Sequence, residues 1–385
     1  MAWRRTTAAA AVLTLVVLST GARAKDLPIW MPPDARAAVA SESGAYVWVD
    51  GARHSVHLPG FALGFKTFDA NDLDTGTTNA FDPHPTGGGF RGALGYVLPD
   101  NVLPPGFGSH VRVEIAGSFV RASDSQAGIA NPSAAEVGLQ FLNGVVIPNS
   151  FVCNGVIAVC SVAAALGTSY RQWDIGAKIA SDFMTVGRLT VTPSVAIFGG
   201  AGAVDQNLTE ALTQTAIGIR GVPVTVTNYS AATALHWTDV GAKFGLDADA
   251  AVTPWLSLGV GGSIGFAHRD ASLSASDSCP DLFCSNGAFN ANGDLIALTS
   301  SAVSQNAAAI PLLANAEARV TVRPTRQTVV RGFVGLNYDS SVPGVSTPVL
   351  VGGNTAPIAT TPAGIKFASE TSWYAGGGIA VRFAP

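Results

Sequence analysis

From about residue 43 to 383 the chain is patterned with a period of two. Apolar side chains recur at alternate positions in one run after another, and helical periodicity is absent. Such alternation marks β-strands that face a different environment on each side. Ten strands are predicted, at about 43–56, 88–98, 110–122, 169–183, 188–201, 234–250, 255–269, 309–323, 328–339 and 368–383. MTVG, AVTP and PTRQ read as tight turns, and LPDNVLPPGFGS as a longer Pro/Gly turn. The other connections, 58–87, 123–168, 202–233, 270–308 and 340–367, read as long loops rich in Asn, Ser, Gly and Thr.

Sorting by parity separates two kinds of face. Trp173, Ile175, Ala177 and Ile179 oppose Gln172, Asp174, Gly176 and Lys178, while Val240, Ala242, Phe244 and Leu246 oppose Asp239, Gly241, Lys243 and Asp247. Val111, Val113, Ile115 and Phe119 oppose Arg112 and Glu114 in the same way. The charged faces also carry Gly and Ala, and both signs occur in near balance. A solvated sandwich surface would instead carry many Lys and Glu.

Composition decides what touches the apolar face. Only 12% of residues are charged, against roughly a quarter in ordinary domains, and mean hydropathy is +0.32. Beyond the first residues there is no apolar run of about 18, so no membrane-spanning helix is predicted. A chain this apolar without helical spans satisfies its backbone in lipid only as a closed barrel. The expectation is an all-β, transmembrane, antiparallel up-and-down β-barrel of about ten strands, with short periplasmic turns and long extracellular loops. The apolar run NGVVIPNSFVCNGVIAVCSVAAALG within 123–168 folds inward as a constriction, forms an outer hairpin, or adds two strands to make twelve.

The first residues, MAWRRTTAAAAVLTLVVLSTGARA, join a basic head, an apolar run and an A-x-A site. Residues 1–24 are therefore predicted to be a signal peptide, 25–42 a Pro-interrupted periplasmic lead-in, and 43–385 the barrel. Losing Arg4, Arg5 and Arg23 takes the net charge from −4 to −7, which disfavours a nucleic-acid partner.

WDIGAK (173–178) is echoed by TDVGAK (238–243), and in each the acid and the lysine share a face. They either neutralise one another inside the barrel or belong to a charged constriction. Its candidate lining residues are Arg112, Glu114, Asp174, Lys178, Asp239, Lys243, Glu317, Arg319, Arg331 and Arg382. Ten strands lie near the filled end of barrel sizes, but inward Gly95, Gly176, Gly241, Gly259, Gly261, Gly335, Gly376 and Gly378 would leave room for a thin water path. The four cysteines favour local disulfides, Cys153–Cys160 and Cys279–Cys284, pinning loop tips. A zinc site built from all four is disfavoured by their spacing. His54 and His57 point to opposite faces of a strand, which is poor metal geometry. No metal or cofactor is expected.

The stretch SWYAGGGIAVRFAP, with Trp373, Ile379, Val381 and Phe383 on one face, resembles the insertion signal of Gram-negative outer-membrane β-barrel proteins, although Ala384 and Pro385 follow the aromatic. The hairpin pattern extends the resemblance to about 43–383, at the level of porin-like and small-barrel proteins. It implies the bacterial outer membrane, contact with outer-membrane lipid and recognition by the barrel-assembly machinery. Ten-stranded outer-membrane proteases use acid pairs and an Asp–His pair at the rim. Asp72, Asp74, His268 and Asp270 match these only superficially and in reversed order, so no enzyme is expected. Two functions stay open: a narrow, charge-lined passive pore for small hydrophilic solutes, or a filled barrel acting as a surface scaffold through its disulfide-pinned loops.

Overall fold

The computed structural model describes residues 43–383, apart from 69–73, 100–108, 133–135, 154–157, 183, 217–222, 282–283, 285–287, 290–294, 297–298, 326 and 352–358. The expected signal peptide and lead-in, 1–24 and 25–42, lie outside the described residues.

Ten strands form an antiparallel ring. They are β1 (Gly44–Ser55), β2 (Thr86–Val97), β3 (Ser109–Ala130), β4 (Ala158–Asp182), β5 (Leu189–Ala216), β6 (Pro223–Ala251), β7 (Leu256–Ser278), β8 (in two segments, Ser300–Ala309 and Leu312–Val322), β9 (Thr328–Ser346) and β10 (Gly364–Arg382). Each pairs with its neighbours in sequence, and β1 pairs with β10 from Tyr46↔Arg382 to Ser55↔Trp373. The ring therefore presents no open edge where its backbone crosses an apolar medium. Its break in β8 falls at Ile310–Pro311, where Pro311 has no N–H to give the ladder. Architecture and strand number agree with the sequence expectation.

The strands are longer than predicted: β6 has 29 residues and β5 has 28, whereas about 9–11 span a bilayer. The excess has a different chemistry. In the section nearer the short turns and up to mid-strand, the outward row Val47, Leu94, Ile115, Ala177, Ile197, Ala242 and Phe266 is continuous across seven strands, and Leu94 is 67% exposed. Nearer the long loops, the outward positions of β7 become Asp270, Ser272, Ser274 and Ser276. The inward ones become Ala271, Leu273 and Ala275, all buried. Strand β6 behaves alike, with Tyr229, Ala231, Leu235 and Trp237 buried inside. The apolar side thus crosses from the outer to the inner face without a break in register. The predicted loops 123–168, 202–233 and 270–308 contain these continuations. They escape a search for lipid-facing alternation because Ala, Ser and Thr supply little contrast between faces, as in ASLSASDS (271–278).

The inward apolar surface is covered by a second, six-stranded sheet built from connections. It comprises Gly64–Phe68 and Asp74–Thr77 from the β1–β2 connection, Glu136–Gln140 and Val146–Val152 from β3–β4, and Ala288–Phe289 and Leu295–Ile296 from β7–β8. Within 123–168, Glu136–Gln140 and Val146–Val152 thus add a hairpin to this inner sheet, while the run from Ala158 onward lengthens β4 of the barrel and adds no new strand to it. Phe61, Phe65, Val137, Leu139, Phe141 and Leu142 pack against Val162, Leu166, Leu208, Leu212, Leu235 and Leu273 of the wall in one core. The upper β9–β10 hairpin bends at an irregularity between Asp339 and Val342, adding Val345 and Ala363 to the same core.

Both disulfides join the pairs expected, Cys153–Cys160 and Cys279–Cys284. All four side chains lie within the core. Cys153–Cys160 joins the end of an inner-sheet strand to β4, and Cys279–Cys284 closes the short segment that follows β7. Leu139 is fully buried between sheet and wall, so Leu139→Ala is expected to weaken docking of the inner sheet by about 2–5 kcal/mol. Limited proteolysis would show faster cleavage in the connections, while the folded barrel keeps its gel mobility.

Candidate functional site

The lumen has three levels. At the short-turn level, charged side chains reach across it. Asp50 of β1, whose side chain is fully buried, accepts from Arg91 Nε of β2 at 2.8 Å and from Arg331 Nε and Nη2 of β9 at 2.7 Å. Arg91 Nη2 continues to Glu317 Oε2 of β8 at 2.7 Å, and Tyr374 Oη of β10 donates to the same oxygen at 2.9 Å. Five strands are thereby joined through one chain of ionic hydrogen bonds, which are stronger than neutral ones. The guanidinium groups also stack on rings, Arg91 on Phe333 at 4.2 Å and Arg331 on Trp48 at 4.3 Å.

The remaining charges are likewise engaged. Tyr46 Oη donates to Glu114 at 2.5 Å, and Lys178 Nζ lies 3.3 Å from the same carboxylate. Arg112 reaches Asp182 at 3.3 Å; Arg319 meets Asp247 at 2.8 Å and Asp249 at 2.5 Å. Ser118 donates to Asp174 at 2.5 Å, and Lys243 Nζ sits 4.3 Å from the Phe198 ring. Arg382 is half-buried opposite Tyr46. The ten candidate charges all share the inward parity of their strands. The Asp–Lys pairs of the echoed hexads do not meet: Lys178 goes to Glu114, and Asp239 to Arg269.

The inward glycines seat larger neighbours. A Cβ on Gly95 would lie 2.2 Å from the Tyr46 ring, on Gly335 2.4 Å from that of Tyr374, and on Gly259 2.1 Å from Asp249. The space expected for a water path is thus occupied at these positions by side chains lying flat across the wall.

At mid-height a cavity of about 370 Å³ remains, lined by Trp48, Gln172, Asp174, Lys243 and Asn337 among others. Above it Arg269 donates bidentately to Asp239 at 2.7 Å, contacts Asp339 at 2.9 Å and donates to the Ser341 carbonyl at 2.7 Å. The third level is the apolar core, where two acids are buried. Asp277 accepts from Leu142 N at 2.7 Å, Tyr229 Oη at 3.0 Å and Ser301 Oγ at 2.6 Å, and burial raises its carboxyl above the usual range. Glu210 Oε2 accepts from Phe65 N at 2.9 Å, and burial pushes its carboxyl up to about 8. Gly64, with φ +93°, makes that approach possible, since a Cβ there would lie 1.9 Å from the same oxygen.

His268 and Asp270 lie 3.3 Å apart on the exposed outer wall; Asp72 and the side chain of Asp74 lie outside the described residues. His54 points inward and stacks on Tyr374 at 5.7 Å, while the His57 ring meets that of His84 at 4.2 Å. Among the described residues there is no group of three or more metal-ligating side chains. Asp50, Arg91 and Glu210 were not candidates from the sequence. Asp50 and Arg91 stand on the inward parity of β1 and β2, a legible signal, whereas Glu210 lies in a stretch read as loop.

A closed antiparallel ring with an apolar outer band and a charged lumen defines the class: a transmembrane β-barrel of the outer-membrane type. The sequence matches no family model and no curated protein. Solved structures similar to it include the outer membrane protease OmpT from Escherichia coli, at 11% identity over 88% of this chain and 97% of that one, with a TM-score of 0.43. A Pseudomonas aeruginosa FadL homologue aligns at 10% identity over 90% and 92%, with a TM-score of 0.26. Neisserial surface protein A aligns at 11% over 89% and 99%, with a TM-score of 0.20. At these scores the likenesses say nothing about what this chain does.

Two outcomes are expected. Asp50→Asn leaves two arginines facing each other and lowers stability by about 3–5 kcal/mol, read as a lower urea midpoint for the barrel in vesicles. For Glu210, a folded value near 8 lies above its ordinary 4.5, so its contribution is complete at low pH and is lost as pH rises towards 8. Protease sensitivity of the inner sheet should increase from pH 5 to pH 9 and become flat in Glu210→Gln.

Proposed function

We infer that the protein is a bacterial outer-membrane scaffold: a filled barrel that holds a disulfide-bonded folded module at its long-loop, extracellular end. The observation that carries this reading is the inner sheet, whose core packs against β4–β7 and the β9–β10 hairpin across the barrel mouth. A solute entering there would have to displace buried Phe65, Leu139, Phe141 and Leu142, and below them the ion pairs of Arg269 and Asp50. Exporting and assembling such a chain calls for the signal peptide at 1–24 and for recognition of the outward Trp373, Ile379, Val381 and Phe383 by the assembly machinery. The strand ends above the membrane band, rich in Ser and Thr outside, suit a hydrated cell surface.

A narrow passive pore is the second reading, and the cavity at mid-lumen, with Asp174 and Lys243 on its wall, is the feature that favours it. Planar-bilayer recording separates the two. The scaffold is expected to give no regular conductance steps. Discrete ohmic steps, with a reversal potential moved towards cations in Lys178→Glu/Lys243→Glu, would establish the pore in its place.

A further inference from the structure

The outer wall carries three arginines where none is needed for the lumen. Arg53, Arg121 and Arg171 are exposed and outward-facing on β1, β3 and β4, and the ladder places them on one transverse row: Arg53↔Gly88, Gly88↔Arg121, Arg121↔Arg171. One row towards the short turns lie Phe90, Phe119 and Trp173, with Phe90 and Phe119 5.6 Å apart. Beyond these come apolar rows ending at Tyr96, Val113 and Ile179. The rows from Trp173 to Ile179, at about 3.3 Å per residue and a tilt near 40°, rise about 15 Å within the ~25 Å apolar band of a barrel. One row the other way, β1 to β5 are polar with Ser55, Thr86, Ser123, Ser169 and Asp205, while across β1 the same row meets Trp373 of β10. The arginine row therefore sits where hydrocarbon gives way to headgroups.

Its charge is only partly balanced by the protein. Arg121 and Arg171 are direct cross-strand neighbours, an arrangement that repels unless an anion joins it. Arg171 has Asp205 at 3.8 Å; Arg53 and Arg121 have no ion-pair partner among the described residues. Between Arg53 and Arg121 lies Gly88, where a Cβ would meet nothing closer than the Ala52 carbonyl at 4.0 Å. The two arginines thus flank an open floor about 10 Å wide, twice the usual strand spacing.

We propose that this row is a binding site for the phosphates of an anionic lipid headgroup in the leaflet on the long-loop side. Guanidinium forks match phosphate oxygens bidentately, the Gly88 floor admits the headgroup, and Phe90, Phe119 and Trp173 meet the first carbons of the chains. The site rests on the outer wall facing lipid, which is tested separately: a protein that stays soluble without detergent fails that premise whatever its lipid preference.

The experiment is native mass spectrometry of the full-length, detergent-folded protein with cardiolipin, phosphatidylcholine or inorganic phosphate. Cardiolipin should be retained and phosphatidylcholine should not. Affinity should fall about fivefold in Arg121→Gln and about twenty-five-fold in Arg121→Gln/Arg171→Gln. Gly88→Glu, which fills the floor with a negative charge, should lose cardiolipin as well. Folding of each variant is read from its unheated gel mobility, and Arg53→Gln replaces any variant that fails. Equal cardiolipin retention in folded wild type and variants overturns the proposal. So does displacement of cardiolipin by equimolar inorganic phosphate, which would mark a free-anion site.

Discussion

The structure depends on backbone closure. Because β1 pairs with β10 and every strand has a neighbour on each side through the lipid-facing section, peptide groups in that section meet their partners within the ladder. That releases the side chains to answer only to their surroundings, level by level. The same strands can then show lipid an apolar outer face near the short turns, and at the other end turn an apolar inner face towards a core. A chain without this closed ladder could not change its greasy side along one strand while remaining in register.

Two consequences follow inside the barrel. Near the short turns the lumen lies out of the hydrophobic core, so its filling is ionic and holds together through hydrogen bonds from Arg331 through Asp50 and Arg91 to Glu317. Buried charge of this kind contributes little net stability but a great deal of geometry, since every partner is penalised if another is missing. At the other end the lumen becomes a core in the ordinary sense, closed by a sheet that borrows its strands from three different connections. Glu210 and Asp277 are the polar points within it, and they anchor the backbone of Phe65 and Leu142.

The exterior follows the same logic in mirror image. Aromatic residues on the outer wall stand beside arginines, and serines stand beyond both, an order that matches the fall in apolarity through a membrane interface. Function at such a surface would be read from outside the barrel as much as from its lumen.

Strand number, antiparallel hairpin order, the inward parity of Asp174, Lys178, Glu317 and Arg331, and the local pairing of the cysteines were all legible in the residues. Each rests on spacing of two, on a connection too short to reverse otherwise, or on closeness along the chain. Strand length was not legible, because Ala and Ser blur the contrast between faces just where β4–β7 leave the membrane section. Nor was the partner of any charge: parity puts Lys178 and Asp174 on the same face, but the stagger between strands brings Lys178 to Glu114 instead. The fate of 123–168 was equally out of reach, since an apolar run states that it must be buried and not against what. Period-two patterning is local and survives in one dimension; register, the inner sheet and the alignment of Arg53, Arg121 and Arg171 arise only when strands distant in sequence are laid side by side.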